Sequence, residues 1–284
     1  MSDPGQHYSI DRQPDLTVGS VTQSINNMVN YAKKCYPADD PMRALYIKNS
    51  VLKMTERYDR HVRLVKLSRD VITECKNIIM FLLHSPKTPE MISEAKERLQ
   101  RVINGPIKSI GIENEHCPPI LHDHAITGGF QEYVKARIML SLISEKRIIS
   151  YPEVQKELEY MIIDNDVGGQ RLLVTKIPRS DYILGLAELS VELMRRAVNN
   201  VSGRNPQECF ETNDVLRHLY SGYLGTTSAG FLNPNLPVTQ ANLQKVEQAL
   251  LTLRERYGAM RPYWMDGSRP RANIYEYRRK YYGY

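Results

Sequence analysis

Residues 41–84 read PMRALYIKNSVLKMTERYDRHVRLVKLSRDVITECKNIIMFLLH, and after Pro41 neither proline nor glycine interrupts them. Two aspartates precede Pro41, which is the order expected of a helix N-cap followed by proline in the first turn. Apolar residues recur broadly at helical spacing between Leu52 and Leu82. The stretch therefore predicts a single helix of ~66 Å. A helix of this length exceeds one small domain and would serve as a spine or pack along a partner.

On both sides of this stretch, breaks that contain proline or glycine separate further segments with helical spacing. Nothing alternates convincingly with the period of two that a half-buried strand requires. The sequence therefore predicts an all-α bundle of about six or seven helices, one of them very long, without an internal repeat. Besides 41–84, the predicted helices cover about 89–102, 121–144, 152–162, 181–201, 206–224 and 239–257, and a loop covers about 105–120.

The composition divides the chain into three parts. Residues 1–38 are polar and predict a flexible N-terminal arm with a short helix near 21–33, and residues 39–258 form the predicted helical domain. Residues 259–284 hold six basic and two acidic residues and so carry +4 of the formal net charge of +6. This tail interleaves arginine with tyrosine, a combination that could bind single-stranded nucleic acid. The alternative is a disordered tail, or one that packs on a partner subunit.

Several classes of protein are excluded by simple features. The longest apolar run, Ile78 to Leu83, is far shorter than the ~18 residues of a membrane span, so no membrane is expected among the partners. The N-terminus lacks the basic and apolar regions of a secretory signal. Four widely spaced cysteines without a CxxC motif are typical of a reducing compartment. We therefore expect a cytoplasmic protein, with the nucleus as the alternative.

Two predicted helices carry acidic residues at helical spacing. Glu188 and Glu192 are one turn apart on a polar stripe that also includes Asp181 and Gly185. Two carboxylates in this arrangement repel each other weakly unless they share a divalent cation, and Mg²⁺ prefers oxygen ligands. The alternative is a solvated face on which Glu192 pairs with Arg195, and spacing alone favours it.

The helix predicted over 121–144 contains Glu132 and Lys135, which are three residues apart and face the same way. One interpretation is an ordinary ion pair within the helix, worth ~0.2–0.5 kcal/mol. The other is a metal-binding carboxylate beside an ammonium group that binds phosphate. Spacing alone again favours the ion pair.

Three motifs, found in the same order over about residues 50–258, resemble the translin-associated factor X (TRAX) branch of the translin family. They are DRHVRLVKLSRD at 59–70, AITGGFQEYV at 125–134 and DYILGLAELSVELMR at 181–195. The resemblance implies a translin-like all-α domain over 39–258 that co-assembles with translin into hollow hetero-octamers. These assemblies bind single-stranded RNA and DNA.

The resemblance also implies an activity. TRAX subunits supply a Mg²⁺-dependent endoribonuclease site made of two carboxylates from the Gln-Glu-Tyr-Val helix and two from the following motif. Carried over to this chain, it implies that Glu132, Glu188 and Glu192 hold Mg²⁺ and are catalytic. The implied substrates are single-stranded RNAs, such as the small-RNA passenger fragments of RNA interference or the products of tRNA processing.

The chain departs from the TRAX pattern at Lys135, which stands where the second carboxylate of the first helix is expected. A metal would lose one ligand there and gain a repulsive neighbour, so its affinity should fall. Lys135 could instead bind the phosphate of the nucleic acid, leaving three carboxylates for one Mg²⁺. The alternative is a catalytically degenerate subunit that keeps nucleic-acid binding or a scaffolding role beside translin.

Overall fold

A computed structural model of the chain describes residues 18–35, 41–115, 123–164, 169–201, 206–225 and 234–257. The basic tail predicted at 259–284 and the first 17 residues of the predicted arm lie outside the described residues. The described elements, in chain order, are α1 (Val18–Cys35), α2 (Pro41–His84), α3 (Pro89–Val102), a π-helical segment (Ile103–Ile107), α4 (Lys108–Asn114), α5 (Asp123–Ser144), α6 (Tyr151–Lys156), β1 (Glu159–Asp164), β2 (Gly169–Val174), α7 (Arg179–Val201), α8 (Pro206–Leu224) and α9 (Asn235–Tyr257).

The prediction of an all-α fold with one very long helix is confirmed, and α2 has the predicted bounds. The short helix predicted near 21–33 corresponds to α1, whereas α4 and the π-helical segment are additions to the predicted helices. None of the described helices combines the length and the apolar composition that a membrane crossing requires.

The chain forms two compact units, residues 1–63 and 64–284, whose boundary falls inside α2. The first unit holds α1 and the beginning of α2. Ala32 of α1 is buried, whereas Met42, Leu45 and Leu52 of α2 are exposed. This unit therefore presents large apolar side chains on its described surface.

The second unit has a continuous hydrophobic core in which α7 packs against α5, α8 and α9. α5 is its most enclosed helix, with Phe130, Tyr133 and Ile138 at most 1% exposed. Such burial on several faces explains why this helix has no clear amphipathic pattern in the sequence. The core thus holds α5 and α7 side by side, and these are the two helices that carry the predicted acidic site.

The loop predicted over 105–120 is wrong for its first half. A proline inside a regular α-helix lacks a hydrogen-bonding N–H, and its ring clashes with the carbonyl four residues before it. Here Pro106 lies in the π-helical segment, whose wider turn accommodates the ring. The chain then continues as α4, in which Gly111 leaves no room for a Cβ beside the Thr175 side chain.

The helix predicted over 152–162 is also wrong in its second half. Its start is correct within one residue, and the backbone N–H of Ser150 donates to Glu153 in the first turn of α6. After Lys156, however, β1 pairs antiparallel with β2 in the register Glu159↔Val174 to Asp164↔Gly169. The alternation expected of strands is absent from the sequence because apolar residues lie on both faces of this hairpin, including the exposed Met161 and Ile163.

Candidate functional site

The acidic site is built on α5, which approaches α2 closely at a glycine. A Cβ on Gly129 would lie 2.9 Å from the Ser68 hydroxyl oxygen and 3.3 Å from the backbone of the same residue. Ser68 is itself buried. The GG pair of the AITGGFQEYV motif therefore allows α5 to pack against α2 one turn before Glu132.

α7 approaches α5 in the same way from the other side. A Cβ on Gly185 would lie 2.8 Å from the carbonyl oxygen of Gln131 and 3.0 Å from the Val134 side chain. Gly185 is buried and lies one turn before Glu188. The absence of a side chain at this position therefore sets the short separation that lets Glu188 reach α5.

The polar stripe predicted on α7 faces α5 along its first turns. Asp181 is 3% exposed and accepts hydrogen bonds from the Thr127 hydroxyl and the Gln131 amide, both at 3.3 Å. A buried carboxylate needs such donors, because burial without them is costly. The sequence placed Asp181 on the stripe but gave no sign of these partners on α5, which lie on a distant part of the chain.

Lys135 lies between the carboxylates of Glu132 and Glu188. Its Nζ is 2.7 Å from Oε1 of Glu132 on the same helix and 2.9 Å from Oε2 of Glu188 on α7. The side chains of Lys135 and Glu132 are 9% and 12% exposed, and that of Glu188 is 39% exposed. One ammonium group therefore joins two of the three predicted acidic residues across the α5–α7 interface.

The electrostatics of this site keep the ammonium charged. Burial alone lowers the pKa of Lys135, but the hydrogen bonds and charges of Glu132 and Glu188 outweigh it, so the net pKa is raised. Burial and the nearby Glu132 charge raise the pKa of the Cys75 thiol on α2. Cys75 is therefore an inert thiol beside the site rather than a nucleophile.

Glu192 lies one turn further along α7 and is paired differently. Its carboxylate accepts hydrogen bonds from Nη1 of Arg195 at 3.0 and 3.2 Å, and its side chain is 14% exposed. This pair within one helix is the alternative that spacing favoured. The structure therefore brings Glu132 and Glu188 together, while Glu192 has a cationic partner of its own.

In this arrangement Mg²⁺ would have the carboxylate oxygens of Glu132 and Glu188 as its ligands. A divalent ion bridging Glu132 and Glu188 would need the space between their oxygens, where the Lys135 ammonium lies. Within the part of the chain that the structure describes, no group of three or more His, Cys, Asp or Glu side chains is placed to hold a metal ion. The described arrangement therefore does not fit a magnesium centre.

Comparisons with known proteins agree with the three motifs. The model of the translin family matches residues 59–256, more than half of the chain. Translin-associated protein X of Mus musculus is 32% identical over 231 residues, which cover 75% of this chain and 78% of the mouse protein. The translin-associated protein X homolog of Schizosaccharomyces pombe is 24% identical over 204 residues, covering 68% and 80%.

A solved structure shares the fold. The crystal structure of apo-NeC3PO aligns with a TM-score of 0.58 at 17% identity, over 73% of this chain and 96% of that one. The family model and the identity to the mouse protein lead to one conclusion: the chain belongs to the translin family.

Proposed function

We propose that this chain is a TRAX-like subunit of a translin-type hetero-oligomer that binds single-stranded RNA or DNA, and that it contributes binding and assembly rather than cleavage. The observation that carries the proposal is the Lys135 ammonium at 2.7 and 2.9 Å from two carboxylates that TRAX-like catalysis would require. The role of oligomer subunit is supported by membership of the translin family and by the similarity to apo-NeC3PO.

The exposed apolar residues of the first unit support an oligomeric partner. Met42, Leu45 and Leu52 are 61%, 50% and 58% exposed on one helix. Large apolar side chains gathered on a surface favour protein–protein association, because burying them removes apolar area from water. A translin-like subunit is the partner that the family suggests for this surface.

Charge explains why the bridge that Lys135 forms between Glu132 and Glu188 disfavours a metal. Lys135 already neutralises one of the two negative charges of Glu132 and Glu188, and the three side chains are partly withdrawn from water. For Mg²⁺ to enter, the ammonium would have to leave both hydrogen bonds, and its charge would then repel the ion from nearby. The same two carboxylates would repel a phosphate from Lys135, so binding of nucleic acid at this residue also requires the bridge to open.

A second candidate is the Mg²⁺-dependent endoribonuclease that the TRAX resemblance implies, with single-stranded RNA as substrate. It is favoured by the convergence of Glu132 and Glu188 from separate helices on one point. In this hypothesis Lys135 leaves the bridge for a phosphate of the RNA, and Glu132, Glu188 and Glu192 hold Mg²⁺. The described conformation would then be a resting state.

One experiment separates the two candidates. The full chain is combined with a translin-like subunit, and the complex is isolated and incubated with end-labelled single-stranded RNA in Mg²⁺ or EDTA. We expect a stable complex and RNA affinity that falls steeply with salt, without Mg²⁺-dependent cleavage. Failure to form a complex or to bind RNA contradicts the proposal.

Cleavage in this assay would favour the nuclease, and matched variants would then locate it. Glu188→Gln keeps the shape of the side chain but removes a carboxylate from the site. Glu97→Gln makes the same change on an exposed position of α3 and serves as the control. Cleavage lost only in Glu188→Gln would establish the nuclease in place of the binding subunit.

A further inference from the structure

A second polar site lies about two helical turns further along the α5–α7 interface, where the end of α5 meets α8. It is a cavity of about 80 Å³ with a partly apolar wall that includes Leu142 and Leu193. One water molecule needs only ~10–15 Å³ of such space, so the cavity can hold a larger group. The charged residues that line it are Lys146, Arg196, Glu211 and Asp214.

Arg196 of α7 is the buried member of this lining. The residue is 7% exposed, and its Nε has no hydrogen-bond partner among the described residues. Its Nη2 lies 3.6 Å from Oε2 of Glu208, which is too long for a hydrogen bond. A buried guanidinium with an unused N–H is costly, and a ligand that accepts from it would recover that cost.

The acidic residues nearest to Arg196 are engaged elsewhere. Glu208 forms an ion pair with Lys87, and its Oε2 accepts from the Asn200 amide at 2.9 Å. Glu211 pairs with Lys146 at 2.9 Å. Arg196 keeps Glu208 as an ion-pair partner at 3.6 Å, so what it offers a ligand, among the described residues of the cavity, is its Nε–H donor.

We propose that this cavity binds a small oxyanion, a phosphate or carboxylate group, through the Nε edge of Arg196 with Lys146 at its mouth. A guanidinium presents paired N–H groups whose spacing matches two oxygens of a carboxylate or phosphate. Lys146 adds a second positive charge and keeps the entrance from becoming acidic by neutralising Glu211. Asp214 opposes binding, because its charge lies on the same cavity wall.

The test uses the full chain with inorganic phosphate and acetate as probes, each compared with NaCl at equal ionic strength and pH 7. We expect phosphate to raise the melting temperature by roughly 5 °C at about 100 times its Kd, and calorimetric titration to give one site. A response to phosphate alone identifies a phosphate group as the ligand, and a response to both identifies any oxyanion. Equal melting temperatures in all three salts overturn the proposal.

Variants at the cavity mouth make the test independent of the buried residue. Lys146→Ala should lower the affinity for phosphate roughly tenfold, and Asp214→Asn should raise it several-fold, because each variant changes one charge beside the site. Lys156→Ala, at an exposed position of α6, should leave the Kd unchanged. A folded Arg196→Lys variant should no longer bind phosphate. Unaltered affinity in both Lys146→Ala and Asp214→Asn would contradict the site.

Discussion

Two buried cations, Lys135 and Arg196, lie about two turns apart along α7 and differ in how their charge is met. Lys135 donates to two carboxylates at 2.7 and 2.9 Å. Arg196 lies 3.6 Å from its carboxylate partner and has an N–H without a partner among the described residues. In the first arrangement both carboxylates pair with the ammonium, so it joins α5 to α7 and does not fit a metal. The second has a spare donor and space beside it, which is what a binding site requires.

The charge reversal Lys135→Glu should have the largest effect on stability, because it removes the cation that pairs with both carboxylates. It would leave three carboxylates at a mostly buried point and, by the usual cost of breaking a buried pair, lower the free energy of unfolding by about 3–5 kcal/mol without divalent ions. Mg²⁺ should restore part of this stability, since the cluster then offers the oxygen ligands it prefers. Urea denaturation with and without Mg²⁺ measures both.

The wild-type chain and a surface variant are the controls for this reversal. Lys156→Glu changes the charge of an exposed residue and should change stability by no more than about 0.5 kcal/mol. The wild-type chain should be equally stable in Mg²⁺ and EDTA. Equal stabilisation of wild type and Lys135→Glu by Mg²⁺ would mean that a metal site exists beside the lysine, contrary to our interpretation.

A substitution at Gly185, where α5 and α7 are in contact, should have the next largest effect on stability. In Gly185→Ala the new methyl group would meet the carbonyl of Gln131 at 2.8 Å, so the helices must separate at a cost of about 1–3 kcal/mol. Gly222→Ala is the matched control, because nothing lies within 4 Å of its Cβ and alanine favours helices by about 0.5–1 kcal/mol. The melting temperature should therefore fall in Gly185→Ala and rise in Gly222→Ala. A change in the same direction in both variants would refute the close approach of α5 and α7 at Gly185.

The pH dependence of the bridge should be smaller and confined to alkaline solution. The pKa of Lys135 in the folded chain is raised above its ordinary 10.5, so the bridge contributes fully below that value. Its contribution falls as the pH rises through the folded-state pKa. The difference in stability between wild type and Lys135→Met should be constant from pH 7 to 9 and shrink above pH 10.5. A difference that shrinks below pH 9 would show that the lysine is not held by both acids.

The Glu192–Arg195 pair on α7, whose arginine lies at the surface, should have the smallest effect on stability. Arg195 is 54% exposed, and ion pairs on the surface contribute about 0–1 kcal/mol. Arg195→Ala should therefore change the free energy of unfolding by less than about 0.5 kcal/mol. A loss above 2 kcal/mol would show that Glu192 depends on Arg195 as Glu188 depends on Lys135.

Local signals account for the elements that could be predicted. Pro41 and Pro89 start helices whose interiors lack glycine and proline, and the bounds of α2 and α3 follow directly. The π-helical segment and the hairpin could not be found in this way. Gly105-Pro106 usually breaks a helix, and apolar residues on both faces of β1 hide its alternation. Contacts from distant segments determine both, such as the hydrogen bond from the Tyr160 hydroxyl to the carbonyl of Ile103.

The amino-acid sequence by itself determined the helical architecture, the family and the presence of Glu132 and Lys135 on one helical face, because these depend on residue types and short spacings. Only the tertiary structure decided that Lys135 also reaches Glu188 and that Arg196 borders a cavity. The physical reason is distance in the chain: the separation and rotation of α5, α7 and α8 arise from packing at Gly185 and from the shared core, which no local pattern encodes.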